Sequence, residues 1–135
     1  MPQVQQTAKV LVIIPSLEVG GAEMDLLRVL PRIDRSRFKV DVWTFQYRGE
    51  LADRMSAAGI RVIDPAPWTP DPSFAAGPQG SGAAVGRITA VVRLFRNVAA
   101  GARLLRAHNY DVIHSVLPSS YPVLFTLGLK EGWRT

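Results

Sequence analysis

The sequence predicts an α/β fold, a parallel sheet with flanking helices, and three observations carry that expectation. Val10 to Ile14 is an unbroken apolar run rich in β-branched residues, the kind of strand that parallel sheets bury on both faces. An adjacent glycine pair, Gly20 and Gly21, separates this run from apolar residues at helical spacing. Further along, strand-like and helix-like stretches alternate, which argues for parallel strands joined by helices.

In order, Pro15 ends the first strand and a short glycine loop follows. Ala22, Met24, Leu26, Leu27, Leu30 and Ile33 then recur at helical spacing, and Pro31 is expected to end or kink this helix near Leu30. Phe38 to Phe45 is the second strand. It places Phe38, Val40, Val42 and Thr44 on one side and Asp41 and Trp43 on the other. Gly49 to Ala58 is read as a helix closed by Gly59, and Ile60 to Ile63 as a short third strand. Asp64 to Gly86 breaks the alternation with five Pro and four Gly. Trp68 and Phe74 within it could cover a ligand or pin the loop to the surface.

Arg87 to His108 is the longest expected helix, with Ile88, Val91, Phe95, Val98, Ala102 and Leu105 on one face. Arg93, Arg96, Arg103 and Arg106 form a basic flank able to lie on an anionic membrane, although an ordinary core helix with a solvated side has the same pattern. Tyr110 to Ser115 is the fourth strand. Ser119 to Lys130 is the last helix, with Pro122 in its first turn and Gly132 as its stop. The next strand is expected to begin where the sequence ends, which would leave the fourth strand as a bare sheet edge.

The 135 residues suit one domain, and 47% hydrophobic content supplies a core. The net charge is +5. Thirteen of the sixteen basic residues are Arg scattered along the chain, so no basic arm points to nucleic acid. The absence of Cys excludes disulfides and thiolate metal sites. The N-terminus has no signal-peptide pattern and no stretch is long enough to span a bilayer, so a cytoplasmic chain is expected.

Chemistry is expected at the carboxyl ends of the strands, where strand order reverses. Gly20 and Gly21 precede a helix whose first amides lack internal partners, which makes an anion site, or else a tight turn that binds nothing. If the first strand lies between the second and fourth, His114, Ser115, Ser119 and Ser120 face the same crevice. His114 could bond a sugar hydroxyl or transfer a proton, or simply be half-buried and bonded to backbone. Several known sites are excluded. The loop is not G-x-G-x-x-G, and Phe45, Gln46 and Tyr47 stand where a ribose-binding carboxylate would be. No Walker motif and no nucleophile elbow occur. His108 and His114 are too few for a zinc centre, and no cofactor is called for.

The stretch VLVIIPSLEVGGAEMDLLRVL resembles the opening of family 4 glycosyltransferases, whose first strand leads to a Gly-Gly-Ala-Glu loop, here Gly20 to Glu23. YDVIHSVLP resembles a later strand of that family, and the stretches Arg48 to Leu51 and Gly59 to Val62 also fit. The resemblance covers nearly the whole chain. It implies a Rossmann-like sheet forming the incomplete N-terminal half of a GT-B fold, the half that mostly holds the acceptor. The implied reaction is retaining sugar transfer from a nucleotide-sugar donor to a sugar, lipid or small-molecule acceptor. Gly20 and Gly21 would approach the donor phosphates or sugar, and His114, Ser115 and Ser119 would face the acceptor or sugar. Glu23, at the third helical position, would repel an anion but is expected to reach back and cap the helix. The sequence also departs from the family. Val116 replaces a frequent second histidine, and no catalytic residue is identified. The nucleotide-holding domain with its pair of glutamates is absent, so the chain alone is expected to be inactive. A donor-domain partner chain, or a free-standing anion- or sugar-binding module, are the alternatives.

Overall fold

The computed structural model describes residues 7–64 and 83–131. Four strands, β1 (Ala8–Ile14), β2 (Phe38–Thr44), β3 (Arg61–Ile63) and β4 (Val112–Ser115), form one parallel sheet in the order β3-β2-β1-β4. The helices are α1 (Gly21–Val29), α2 (Ala52–Ala57), α3 (Ala83–His108) and α4 (Tyr121–Glu131). This is a Rossmann-like α/β arrangement, as the alternating pattern predicts.

Two apolar layers hold it together. On one face, Val12, Ile14 and Val42 pack with Leu30, Leu51 and Met55, backed by Met24, Leu26 and Leu27 of α1. On the other, Leu11, Ile13 and Trp43 pack with Val98 and Ala102 of α3 and Val123 and Leu127 of α4. Each fully buried Leu or Ile here contributes about 1.5–3 kcal/mol. β1 is therefore covered on both faces, which explains why its sequence is a continuous apolar run.

Most boundaries follow from local chemistry. Leu30–Arg32 forms a single 3-10 turn containing Pro31, as expected from the missing amide of proline. Gly59 takes φ +82° and ends α2. The expected helix from Gly49 is shorter at its start, because Gly49 adopts φ +77° and belongs to the preceding turn. α3 begins at Ala83, earlier than Arg87, since the alanines there favour helix. Over 91–108, where its side chains are described, its apolar face is only partly buried. Val98 and Ala102 are in the core, but Phe95 is 68% exposed and Val91 is also exposed, against the expectation of one continuous buried stripe. Trp68 and Phe74 lie outside the described residues.

Among the described residues β4 is a sheet edge, as predicted. Register pairs Val12 with His114 and Leu11 with Ile113. Ile113 accordingly packs under α3 and α4, whereas Val112 and His114 are exposed on the α1–α2 face. Among the described residues, no helix is long and apolar enough to cross a membrane.

Candidate functional site

With β1 between β2 and β4, the sheet's switch point lies at the carboxyl ends of β1 and β4. The β1 side is built on backbone. The Gln46 amide donates to the Pro15 carbonyl at 2.9 Å, the Leu17 amide to the Arg48 carbonyl at 3.2 Å, and the Leu51 amide to the Leu17 carbonyl at 2.8 Å. Gly49 sits hard against this loop. A Cβ there would fall on the carbonyl carbon of Leu17 and 2.6 Å from the Glu18 nitrogen. Arg48 is held by two carboxylates, Asp64 at 2.7 Å and Asp53 at 2.8 Å. The Arg48–Leu51 stretch is thus a brace for the glycine loop.

The loop leads to Gly20, the N-cap of α1. The first intrahelical bond runs from the Met24 amide to the Gly20 carbonyl at 3.0 Å, and no side chain caps the turn. The amides from Gly20 to Glu23 therefore have no acceptor within the helix. Gly20 has φ −151°, extended backbone that any residue adopts. A Cβ added to Gly20 would meet only the flexible Glu23 carboxylate, and one added to Gly21 would meet nothing within 4 Å. Glu23 does reach back towards Gly20 as expected, but it forms no capping hydrogen bond. The rim also carries Glu18 and Glu50, both exposed. Affinity for an anion must therefore come from backbone amides against unfavourable side-chain charge.

On the β4 side, the Val116 amide donates to the Ile13 carbonyl at 2.9 Å and extends the ladder. The chain then turns at Leu117, a non-glycine residue with φ +73° and ψ 143°, immediately before Pro118. Strained backbone of this kind persists only where its surroundings impose it. Ser120 does so here: fully buried, its hydroxyl donates to the Leu117 carbonyl at 2.7 Å or the Val116 carbonyl at 2.8 Å and also meets the Ser115 hydroxyl.

The predicted residues therefore separate. His114 and Ser115 are neighbours in a strand and project to opposite faces. His114 is exposed and has no hydrogen-bond partner among the described residues, which removes the half-buried, backbone-bonded alternative. The Ser115 hydroxyl is engaged with Ser120, and Ser119 is exposed. Gly20, Gly21 and His114 remain with free groups at the carboxyl edge. Sequence reasoning did not single out Leu117 or the structural use of Ser120. The Ser-Ser pair before α4 was the only available signal. Among the described residues, no three His, Asp or Glu side chains cluster closely enough to hold a metal ion.

Comparison with known proteins returned no matching family model, no matching curated protein and no matching solved structure.

Proposed function

We propose that the chain is the acceptor-side N-terminal portion of a retaining, family 4-like glycosyltransferase. The observation that carries this reading is the glycine pair. Neither Gly20 nor Gly21 is demanded by backbone conformation or by a rigid neighbour, yet both stand at an uncapped helix start beside the switch point. A ligand approaching the backbone gives both a reason to lack a side chain.

In the proposed reaction the bond from the donor's anomeric carbon to the leaving phosphate oxygen breaks. A bond from that carbon to the acceptor oxygen forms on the same face, and the acceptor proton leaves with the nucleoside diphosphate. The amides of Gly20 to Glu23 would contact the donor's phosphate or sugar, and His114 would bond a hydroxyl near the acceptor. The Ser119 hydroxyl is exposed nearby, whereas Ser115 would have to release Ser120 before it could take part. The nucleotide would be held by a second domain, in the same chain or in a partner. A cytoplasmic location goes with nucleotide-sugar chemistry, and the Arg flank of α3 would be the contact if the acceptor is a membrane lipid.

The coding DNA around the segment for residues 1–135 tests this reading. A continuing or adjacent frame encoding a nucleotide-binding domain with two glutamates eight apart is expected. Its absence would overturn the transferase reading in favour of a free-standing binding module.

A further inference from the structure

At the opposite end of the sheet, away from the glycine loop, the starts of β1, β2 and β3 meet the end of α3. A hollow of about 40 Å³ there is lined by Lys9, Lys39, Asp41, Arg61, His108 and Tyr110. Register makes Lys9 the direct neighbour of Lys39, and Asp41 the direct neighbour of Arg61. Alternation puts all four on the α3 face of the sheet. The Tyr110 hydroxyl donates to Asp41 at 2.6 Å, and Arg61 stands 3.7 Å from the same carboxylate oxygen. The Asp41 charge is thus already answered from two sides. The Lys9 ammonium donates to the His108 carbonyl at 3.3 Å, a neutral acceptor. Lys39 has no hydrogen-bond or ion-pair partner among the described residues.

Two like charges directly beside each other on adjacent strands oppose folding, and neither lysine belongs to the core. Among the lining residues, with Arg61 matched to Asp41, the two ammonium groups leave an excess of two positive charges; the Asp111 carboxylate, which accepts the Lys9 amide at 2.7 Å, is not part of the lining. The volume of the hollow is that of about three water-sized atoms, which suits one tetrahedral oxyanion and is too small for a base or a sugar.

We propose that this hollow binds a single phosphoryl group, with Lys9 and Lys39 as its charge partners and the His108 ring at its side. The site is independent of the glycine loop. The phosphoryl group could be free phosphate or the headgroup of an anionic lipid.

The test is titration of the isotope-labelled chain with inorganic phosphate, against sodium chloride at matched ionic strength so that general screening cancels. Phosphate is expected to raise the melting temperature and to move the amides of Lys9, Lys39 and Tyr110, but not those of Gly20 and Gly21. Lys39→Gln removes an exposed, unpartnered charge and should fold normally while weakening phosphate by about tenfold or more. Equal responses to phosphate and chloride, or a variant that titrates like the parent, would overturn the site. Sedimentation with phosphatidic acid vesicles but not phosphatidylcholine vesicles, together with the phosphate response, identifies a headgroup as a source. A phosphate response without sedimentation identifies the free anion. Sedimentation without any response to soluble phosphate would replace the pocket by a surface contact.

Discussion

The two ends of the sheet are held by different mixtures of main-chain and side-chain bonds. At the carboxyl end the loops after β1 and β2 are joined by main-chain hydrogen bonds among Pro15, Leu17, Gln46, Arg48 and Leu51, and β4 continues onto β1 through Val116. At the amino end main-chain bonds, from the Ala8 amide to the Arg37 carbonyl at 2.8 Å and from the Asp111 amide to the Lys9 carbonyl at 2.9 Å, are supplemented by side chains. Tyr110 reaches Asp41 across the sheet, the Asp111 carboxylate accepts the Lys9 amide at 2.7 Å, and Lys9 reaches the carbonyl of His108. At the carboxyl end Arg48, held by Asp53 and Asp64, and Ser120 are constrained through their side chains. Where the joints there are main-chain, the side chains, or their absence, are unconstrained. Gly20, Gly21 and His114 are in that position, and an end of this kind can carry a ligand site without weakening the fold. At the amino end Tyr110, Asp41 and Asp111 commit their side chains, so their substitution should be felt in stability, whereas at the carboxyl end the sensitive position is the one the backbone joints need, Gly49.

This contrast fixes an order of expected effects. Gly49→Ala should be the most damaging, because a Cβ would strike the Leu17 backbone and φ +77° disfavours any side chain. A loss above about 2 kcal/mol is expected in denaturant unfolding. A loss under about 0.5 kcal/mol would show that the brace is not rigid.

Tyr110→Phe comes next. It takes a hydrogen bond from the buried Asp41 carboxylate and should cost about 1–2 kcal/mol at neutral pH. Burial and the adjacent Asp41 carboxylate push the Tyr110 phenol up from its ordinary value, so the folded state holds this proton more tightly than the unfolded chain. Tyr110 therefore contributes stability that is present below about pH 10 and fades as pH rises through the raised value. Melts taken across that range should show a decline in the parent that is shallower in the Phe variant. Parallel curves would mean that the Tyr110–Asp41 bond does not persist in solution.

His114→Ala should have the smallest effect. An exposed histidine without a partner should change stability by less than about 0.5 kcal/mol, and a larger loss would place His114 in the packing.

The sequence was most legible where the signal is local. The apolar run of β1, Pro31 in its 3-10 turn, Gly59 closing α2 and the alternation that fixes a parallel sheet all act within a few residues. The strand order could be used to locate the crevice because β1 alone reads as buried on both faces. What escaped depends on partners distant in sequence or on the turn geometry. Asp41 looks like a polar intrusion in FKVDVWTF until Tyr110 supplies its hydroxyl from 69 residues away. Phe95 and Val91 share a helical stripe with Val98, yet the core ends before it reaches them. Ser115 and Ser119 looked like neighbours of His114, but alternation and the buried Ser120 hydroxyl turn Ser115 to the other face. In contrast, a Cβ added at Gly21 meets nothing within 4 Å, so a side chain there should leave the fold intact.

The central claim is that the glycine pair is kept clear for a ligand and is spare in the fold. The most direct test is an amide-shift titration of the parent chain and of Gly21→Val with UDP- and GDP-linked sugars, each checked by a thermal melt. The parent should show weak, millimolar-range shifts centred on Gly21, Ala22 and His114, since the carboxylates at the rim oppose the anion and only backbone amides attract it. The variant should melt within about 0.5 kcal/mol of the parent and lose those shifts. A Gly21→Val chain that titrates like the parent, or a parent that responds to no nucleotide-sugar at the glycine loop, would contradict the claim.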